Sequence, residues 1–291
     1  MIDLKKFAGV TMGSVIALSI CTSASGIVIR HDKPEENYLA DVNDFPPLAT
    51  FYNIGVHGTL IKPEWVLTAT HTVFCLNEGQ PIKVGNELIE IQAKYSYPTY
   101  ELGGENDLSL IKLSRPIMSV KPAKLYRSKG EVDKNVWFIG SGGTGTGLTG
   151  QTVSNVENNG VLRKAQNKVV SVTESDLRFV FEPGNDGLEL EGVSGNGDSG
   201  GPAYIVANGN YFLLGVSSRA DSVDKEVGEY GVEELYTRVS THIEWIEQVI
   251  SSDETERAKI SSLDTFLHPG MQSENMQDIC SSLSVTATSQ P

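Results

Sequence analysis

Cysteine is nearly missing from this chain. Three occur in 291 residues, at positions 21, 75 and 280, so a fold stapled by many disulfides is excluded and the body must rest on its apolar core. Positive charge is also short: 23 Lys and Arg stand against 37 Asp and Glu, a formal net charge of −14. That balance excludes nucleic acid as a partner and argues against a stable hold on anionic membranes, because both need clustered cations. Beyond Ile20 no apolar run approaches the roughly 20 residues that a bilayer crossing requires. The glycine-rich stretch Gly140–Gly150 lacks the Gly-Lys-Ser/Thr ending of a phosphate loop, which argues against nucleotide binding.

What the chain does have begins with an export signature. Lys5 and Lys6 precede the mostly apolar Phe7–Ile20, and Ala24-Ser25-Gly26 offers the small residues that a signal peptidase reads. Residues 1–26 are expected to be a signal peptide, and the protein secreted or periplasmic. Cys21 would leave with the signal; whether Cys75 and Cys280 pair stays open. Short apolar runs then recur, punctuated by Gly, Pro and Asn. One group comprises Leu48–Tyr52, Gly58–Ile61, Trp65–Ala69, Ile82–Val84, Leu88–Lys94 and Leu108–Leu113. A second comprises Val136–Ile139, Gly160–Val172, Phe179–Glu182, Ala203–Val206, Tyr211–Val216 and Tyr236–Val239. This pattern predicts an all-β body of two antiparallel barrels joined near residues 114–134. His242–Ile250 carries Ile243, Ile246, Val249 and Ile250 at helical spacing. From Ser251 the pattern fades, and residues 251–291 are expected to be a flexible extension or, alternatively, a segment that docks a partner.

The densest chemical signal is Gly195-Asn196-Gly197-Asp198-Ser199-Gly200-Gly201-Pro202. A serine among four glycines adds little to a core, but such a turn can aim a hydroxyl outward and turn two amides toward one point beside it. A serine needs a base, and the base needs an orienting carboxylate. Trp65-Val66-Leu67-Thr68-Ala69-Thr70-His71 ends an apolar strand in a histidine, and Asp107 heads the alternating run Leu108–Leu113. The chain order is His, Asp, Ser.

With these segments together the chain resembles the trypsin-like (chymotrypsin-fold) serine endopeptidases. Gly197–Pro202 reproduces their GDSGGP motif. Thr68–His71 is similar to TAAH, with Thr70 replacing an alanine, and Asp107–Leu113 is similar to D-[IL]-x-L-[IL]-x-L. Gly58–Ile61, Tyr236–Val239 and the closing helix agree, so the similarity runs from about Ile27 to Ile250. It implies two Greek-key β-barrels, at about 27–120 and 121–240, with the active site between them and a helix at 242–250.

The resemblance further implies a cofactor-independent endopeptidase acting on protein or peptide substrates. Ser199 would be the nucleophile, His71 the base and Asp107 its orienting group, with the amides of Gly197 and Ser199 as oxyanion hole and Ser217 supporting Asp107. Asp198 would pair with the ammonium of Ile27 after cleavage behind Gly26. However, Ile29-Arg30 stand where the family has two glycines, and an alternative reading makes Ile27-Val28 only a first strand. The span from Val84 to Asp107 is too short for the calcium loop of animal trypsins, so no metal is expected. Gly140–Gly150 corresponds to a flexible surface loop of the family. Val193 stands where trypsins carry the aspartate at the base of the substrate pocket. Glu234, on the neighbouring strand, would then receive Arg or Lys, unless Arg219 neutralises it or it is only a solvated loop carboxylate. Two other classes remain: a catalytically silent binding protein on the same fold, disfavoured because no triad member is missing, and an esterase using the same triad.

Overall fold

The computed structural model describes residues 26–221, 224–262 and 273–283. The expected signal peptide, apart from Gly26, lies outside them. After a two-residue strand β1 (Val28–Ile29), the first half forms β2 (Leu48–Tyr52), β3 (Gly55–Lys62), β4 (Trp65–Thr68), β5 (Pro81–Val84), β6 (Glu87–Ser96) and β7 (Ser109–Leu113). These six close into a barrel in the order β2-β3-β4-β7-β6-β5, sealed by antiparallel pairing of β5 with β2. The short apolar runs supply the inward faces: Leu60, Val66, Ile82, Ile91 and Ile111 are all buried in one cluster. Each contributes about 1.5–3 kcal/mol of transfer free energy on burial.

The second half contains β8 (Lys124–Leu125), β9 (Asn135–Gly140), β10 (Thr144–Thr146), β11 (Gly150–Val153), α1 (Asn155–Asn158), β12 (Arg163–Lys168), β13 (Ser171–Val172), β14 (Asp176–Val180), β15 (Gly192–Val193), β16 (Pro202–Ala207), β17 (Asn210–Asp221) and β18 (Glu233–Arg238). The main sheet runs β12-β9-β16-β17-β18-β14-β13. It curls into a half-barrel, and Asn167 Nδ2 bridges its seam by donating to Val180 O at 3.1 Å. At its centre Phe138 stacks on Tyr236 and Phe179 meets both edge-on, with ring centroids 4.8–5.2 Å apart. The all-β, two-barrel expectation therefore holds, with the second barrel an open, curled sheet.

Helix α2 (Val239–Ser251) starts earlier than its apolar spacing indicates. It buries Trp245, Ile246 and Val249 with Leu67 and Leu110 of the first barrel and Leu213 and Val216 of the second. This shared cluster fixes the two halves against each other, and so fixes the cleft between them.

Three stretches depart from the sequence reading. The run Gly160–Val172 is two strands, β12 and β13. Gly140–Gly150 is not a surface loop. Ser141–Gly145 is buried, and β10 within it pairs with β1 in parallel, Ile29 opposite Thr146. Beyond Ser251, α3 (Glu254–Ile260) and α4 (Met276–Ser282) form and attach to the body. The Arg257 guanidinium lies over Trp65 and Tyr95 at 5.2 and 5.7 Å, and Cys280 is disulfide-bonded to Cys75. Polar composition hid these attachments, because α3 is anchored through one cation over an aromatic pair and α4 through a disulfide and a stripe of only three apolar residues.

Candidate active site

Strands β4 and β7 are antiparallel, with Thr68 opposite Ser109. That register brings the residues just outside the ladder within reach of each other. After β4 the chain makes a tight turn, Thr70–Thr72. Thr70 Oγ1 donates to Leu108 O at 2.8 Å and lies 2.9 Å from Ser109 Oγ, so the residue that departs from the family's alanine fastens the turn to β7.

His71 Nδ1 is 2.6 Å from Asp107 Oδ2, and the His71 amide donates to Oδ1 at 3.0 Å. The Ser218 hydroxyl donates to Oδ2 at 2.8 Å, and Thr237 Oγ1 donates to the Asp107 carbonyl at 2.9 Å. Burial alone would push the Asp107 carboxyl up. The His71 imidazole, the His71 amide and the Ser218 hydroxyl outweigh it and hold the group below its ordinary value. An ionised carboxylate fixed to one ring nitrogen sets the tautomer that leaves the other able to take a proton.

The support expected from Ser217 comes from Ser218 instead. A bulge in β17 between Ser217 and Arg219 shifts which of the two serines faces Asp107. Ser217 is committed elsewhere, its amide donating to Gly201 O and its carbonyl accepting from Gly200 N, each at 2.9 Å. The sequence signal for Ser218 is only the Ser217-Ser218 doublet, which cannot reveal a bulge.

The nucleophile loop is built around Asp198. Its Oδ1 accepts from Gly142 N at 2.6 Å; its Oδ2 accepts from Gly195 N at 2.9 Å and from Ile27 N at 3.3 Å. A Cβ on Gly140 or Gly142 would sit 2.1 or 2.7 Å from this carboxylate, which is why the stretch is glycine-rich. Complete burial pushes Asp198 up to about 6, more than its backbone hydrogen bonds pull it down. Ile27 has φ = +61°, and its carbonyl accepts from the Thr144 hydroxyl. Val28 sits opposite Val193 on β15.

Around Ser199 the main chain is gripped from β3. Val56 N donates to Gly197 O at 2.6 Å and His57 N to Ser199 O at 2.8 Å. The amides of Gly197 and Ser199 have no acceptor among the described residues, leaving two donors available to an oxygen. Gly200 has φ = +74°, and a Cβ there would lie 2.3 Å from both His57 O and Thr68 Oγ1, so no other residue fits. Ser199 lines a cleft of about 190 Å³ together with Ser218 and Glu234. Ser218 therefore touches both the Asp107 carboxylate and the cleft that Ser199 lines.

Of the expected pocket residues, Arg219 and Glu234 line this cleft and Val193 does not; Ser217, expected beside Asp107, lines it as well. Val193 is buried against Val28 and Phe181, and Ser194 takes the wall in its place. Arg219 does not neutralise Glu234. Its Nη2 lies 2.7 Å from Asp176 Oδ2, and Nη1 donates to Gly104 O at 3.2 Å. Nor is Glu234 a solvated loop carboxylate: it lies in β18, 4% exposed. Burial pushes it up to about 8 against the lowering effect of bonds from the amide and hydroxyl of Ser194. A carboxyl raised this far holds its proton near neutral pH, in the lining of a polar cleft.

A family model described as Trypsin matches residues 37–246. Among curated proteins, a serine protease, SSP1, from Scolopendra subspinipes is 29% identical over 232 residues, covering 69% of this chain and 76% of the relative. Snake venom serine protease KN6 from Trimeresurus stejnegeri is 26% identical over 266 residues, covering 82% and 93%. A factor V activator from Macrovipera lebetinus is 26% identical over 267 residues, covering 83% and 94%.

Proposed function

This chain belongs to the trypsin family of serine endopeptidases, and from that premise we propose that it cuts polypeptides through an acyl-enzyme on Ser199, with His71 and Asp107 completing the triad. His71 takes the Ser199 proton as the hydroxyl attacks the scissile carbonyl, then gives it to the leaving amine. Water, deprotonated by the same ring, frees the acyl group. The amides of Gly197 and Ser199 hold the developing oxyanion. The observation that carries the reading is the buried His71–Asp107 pair, whose second support, Ser218, borders the cleft lined by Ser199.

The test is labelling of the mature protein with a fluorophosphonate, alongside peptide hydrolysis. Wild type is expected to label and to cleave, and Ser199→Ala to do neither. A wild type that fails to label would sink the triad, and labelling with ester but not amide turnover would make it an esterase.

The preference we propose is for Arg or Lys before the cut bond, with Glu234 as the counter-charge. Its support is a carboxyl in the cleft whose Arg219 neighbour is already paired with Asp176. We also propose export, with residues 1–26 removed and residues 27–250 as the protease body. Cleavage before Ile27 would turn its amide into an ammonium in contact with Asp198. What supports this is the 3.3 Å contact, which brings residue 27 to the carboxylate of residue 198.

A further inference from the structure

The last described helix lies far along the chain from the catalytic motifs, yet it reaches them through a short series of contacts. Cys280 of α4 is bonded to Cys75, four residues beyond His71. Met276, Ile279 and Leu283 pack on the first-barrel core, which also takes Ile54 and Phe74. At its end the helix meets the tip of the β2–β3 hairpin: Asn53 Nδ2 donates to Ser282 O at 3.1 Å and the Asn53 amide donates to Leu283 O at 3.4 Å.

That tip has the nucleophile loop on its other side. Asn155 Nδ2, from the second half, donates to Ile54 O at 3.1 Å. Gly55 has φ = +96°, and a Cβ there would stand 2.7 Å from Gly197 O. Val56 has φ = +63°, costly for a branched residue, and in that conformation its amide donates to Gly197 O at 2.6 Å. His57 N then holds Ser199 O. The hairpin thus grips the two residues whose amides face the oxyanion position, and it does so through an unfavourable backbone angle that needs outside support.

We propose that α4, fastened by Cys75–Cys280, is a positioning element of the catalytic centre that braces the Asn53–Val56 hairpin tip and thereby aims the amides of Gly197 and Ser199. It touches no substrate. This rests on the reading of those amides as the oxyanion hole. The same contacts explain why a polar extension beyond the barrels bears a cysteine and a short apolar stripe.

The experiment compares full-length wild type with Cys75→Ala/Cys280→Ala and, to keep the disulfide intact, with Asn53→Ala. Each is assayed well below its thermal midpoint and normalised by active-site titration. The readouts are kcat, KM, and the ratio of affinities for a peptide aldehyde and the matched peptide alcohol. The aldehyde adds to Ser199 and puts an oxyanion in the hole; the alcohol binds the same subsites without that bond. Loss of one oxyanion donor costs about 10²–10³ in turnover, so a donor merely misaimed is expected to cost roughly tenfold in the double variant and less in Asn53→Ala. KM and alcohol affinity stay near wild type, while kcat and aldehyde affinity fall together. Unchanged kcat and aldehyde-to-alcohol ratio in both variants, with only a lower melting temperature, would overturn the proposal. So would parallel loss of alcohol and aldehyde affinity. If wild type itself neither binds the aldehyde nor labels with a fluorophosphonate, the protease reading is what has failed.

Discussion

On the first-barrel side of the cleft, His71 and Asp107 meet across the β4–β7 register, and each Asp107 oxygen finds a donor that keeps the carboxyl charged. On the second side, Asp198 and Glu234 are buried carboxyls raised to about 6 and about 8. One region is finished, with its charge compensated by the fold. The other holds two acids that burial leaves raised despite their hydrogen bonds; under the proposed function an ammonium at residue 27 would compensate one and a basic substrate side chain the other. Under that proposal the contrast separates chemistry, which is built in, from activation and selectivity, which would wait on a partner charge.

The largest expected effects test the finished side. His71→Ala should lower kcat about 10⁶-fold, and Asp107→Asn about 10⁴-fold because the amide holds the wrong tautomer; pre-steady-state hydrolysis of a chromogenic peptide measures both. Losses under tenfold would break the division drawn here. Asp198→Asn should cost roughly 10²–10³ in kcat, by loosening the loop that carries the oxyanion amides.

The same aspartate gives a pH test of its own. Its value in the intact chain, about 6, lies above its ordinary 3.8. The folded state therefore holds the proton longer than the unfolded one, and stability falls as pH rises from about 4 to 6, by on the order of 3 kcal/mol. A chain beginning at Ile27 should lose much less over that window, since the ammonium favours the charged carboxylate. Melting curves of the two forms between pH 3.5 and 7 compare them directly; equal slopes would remove the ammonium from the account.

Glu234→Gln should reduce the preference for Arg over an uncharged side chain by roughly 10–100-fold in kcat/KM. Wild type should release up to one proton on binding an arginine-like ligand at pH 7, measured by calorimetry in two buffers, and the variant none. The smallest change belongs to Ser218→Ala, where one hydroxyl is lost from an already well-bonded carboxylate: roughly three- to tenfold in kcat.

What the sequence discloses follows the same division. Motifs that lie on ladders, such as Trp65–His71 and Asp107–Leu113, read directly, because alternation reports which face is buried and register then follows. Leu48–Tyr52 is a strand over those very residues. The errors fall where one residue of irregular backbone decides the outcome. The β17 bulge exchanges Ser217 for Ser218, and β15 turns Val193 into the core. Asp176, far away in sequence, claims Arg219. The attachment of α3 is equally hidden, since a stacked guanidinium leaves no periodic trace, whereas α4 does carry one, Met276, Ile279, Cys280 and Leu283, too short to stand out in a polar tail.

If the chain is cut behind Gly26 as proposed, Ile27 gives the second side its direction in time. A branched side chain at φ = +61° is crowded by the carbonyl of the preceding residue, at a cost on the order of 1–3 kcal/mol. That crowding exists only while Gly26 remains attached. Hydrolysis of the bond between them lets residue 27 relax where it already sits, with no search for a distant binding site, while religation would have to restore the discomfort. Under the proposed cleavage behind Gly26 the intact chain is thus a cocked ratchet, and the cut that would free residue 27 runs one way.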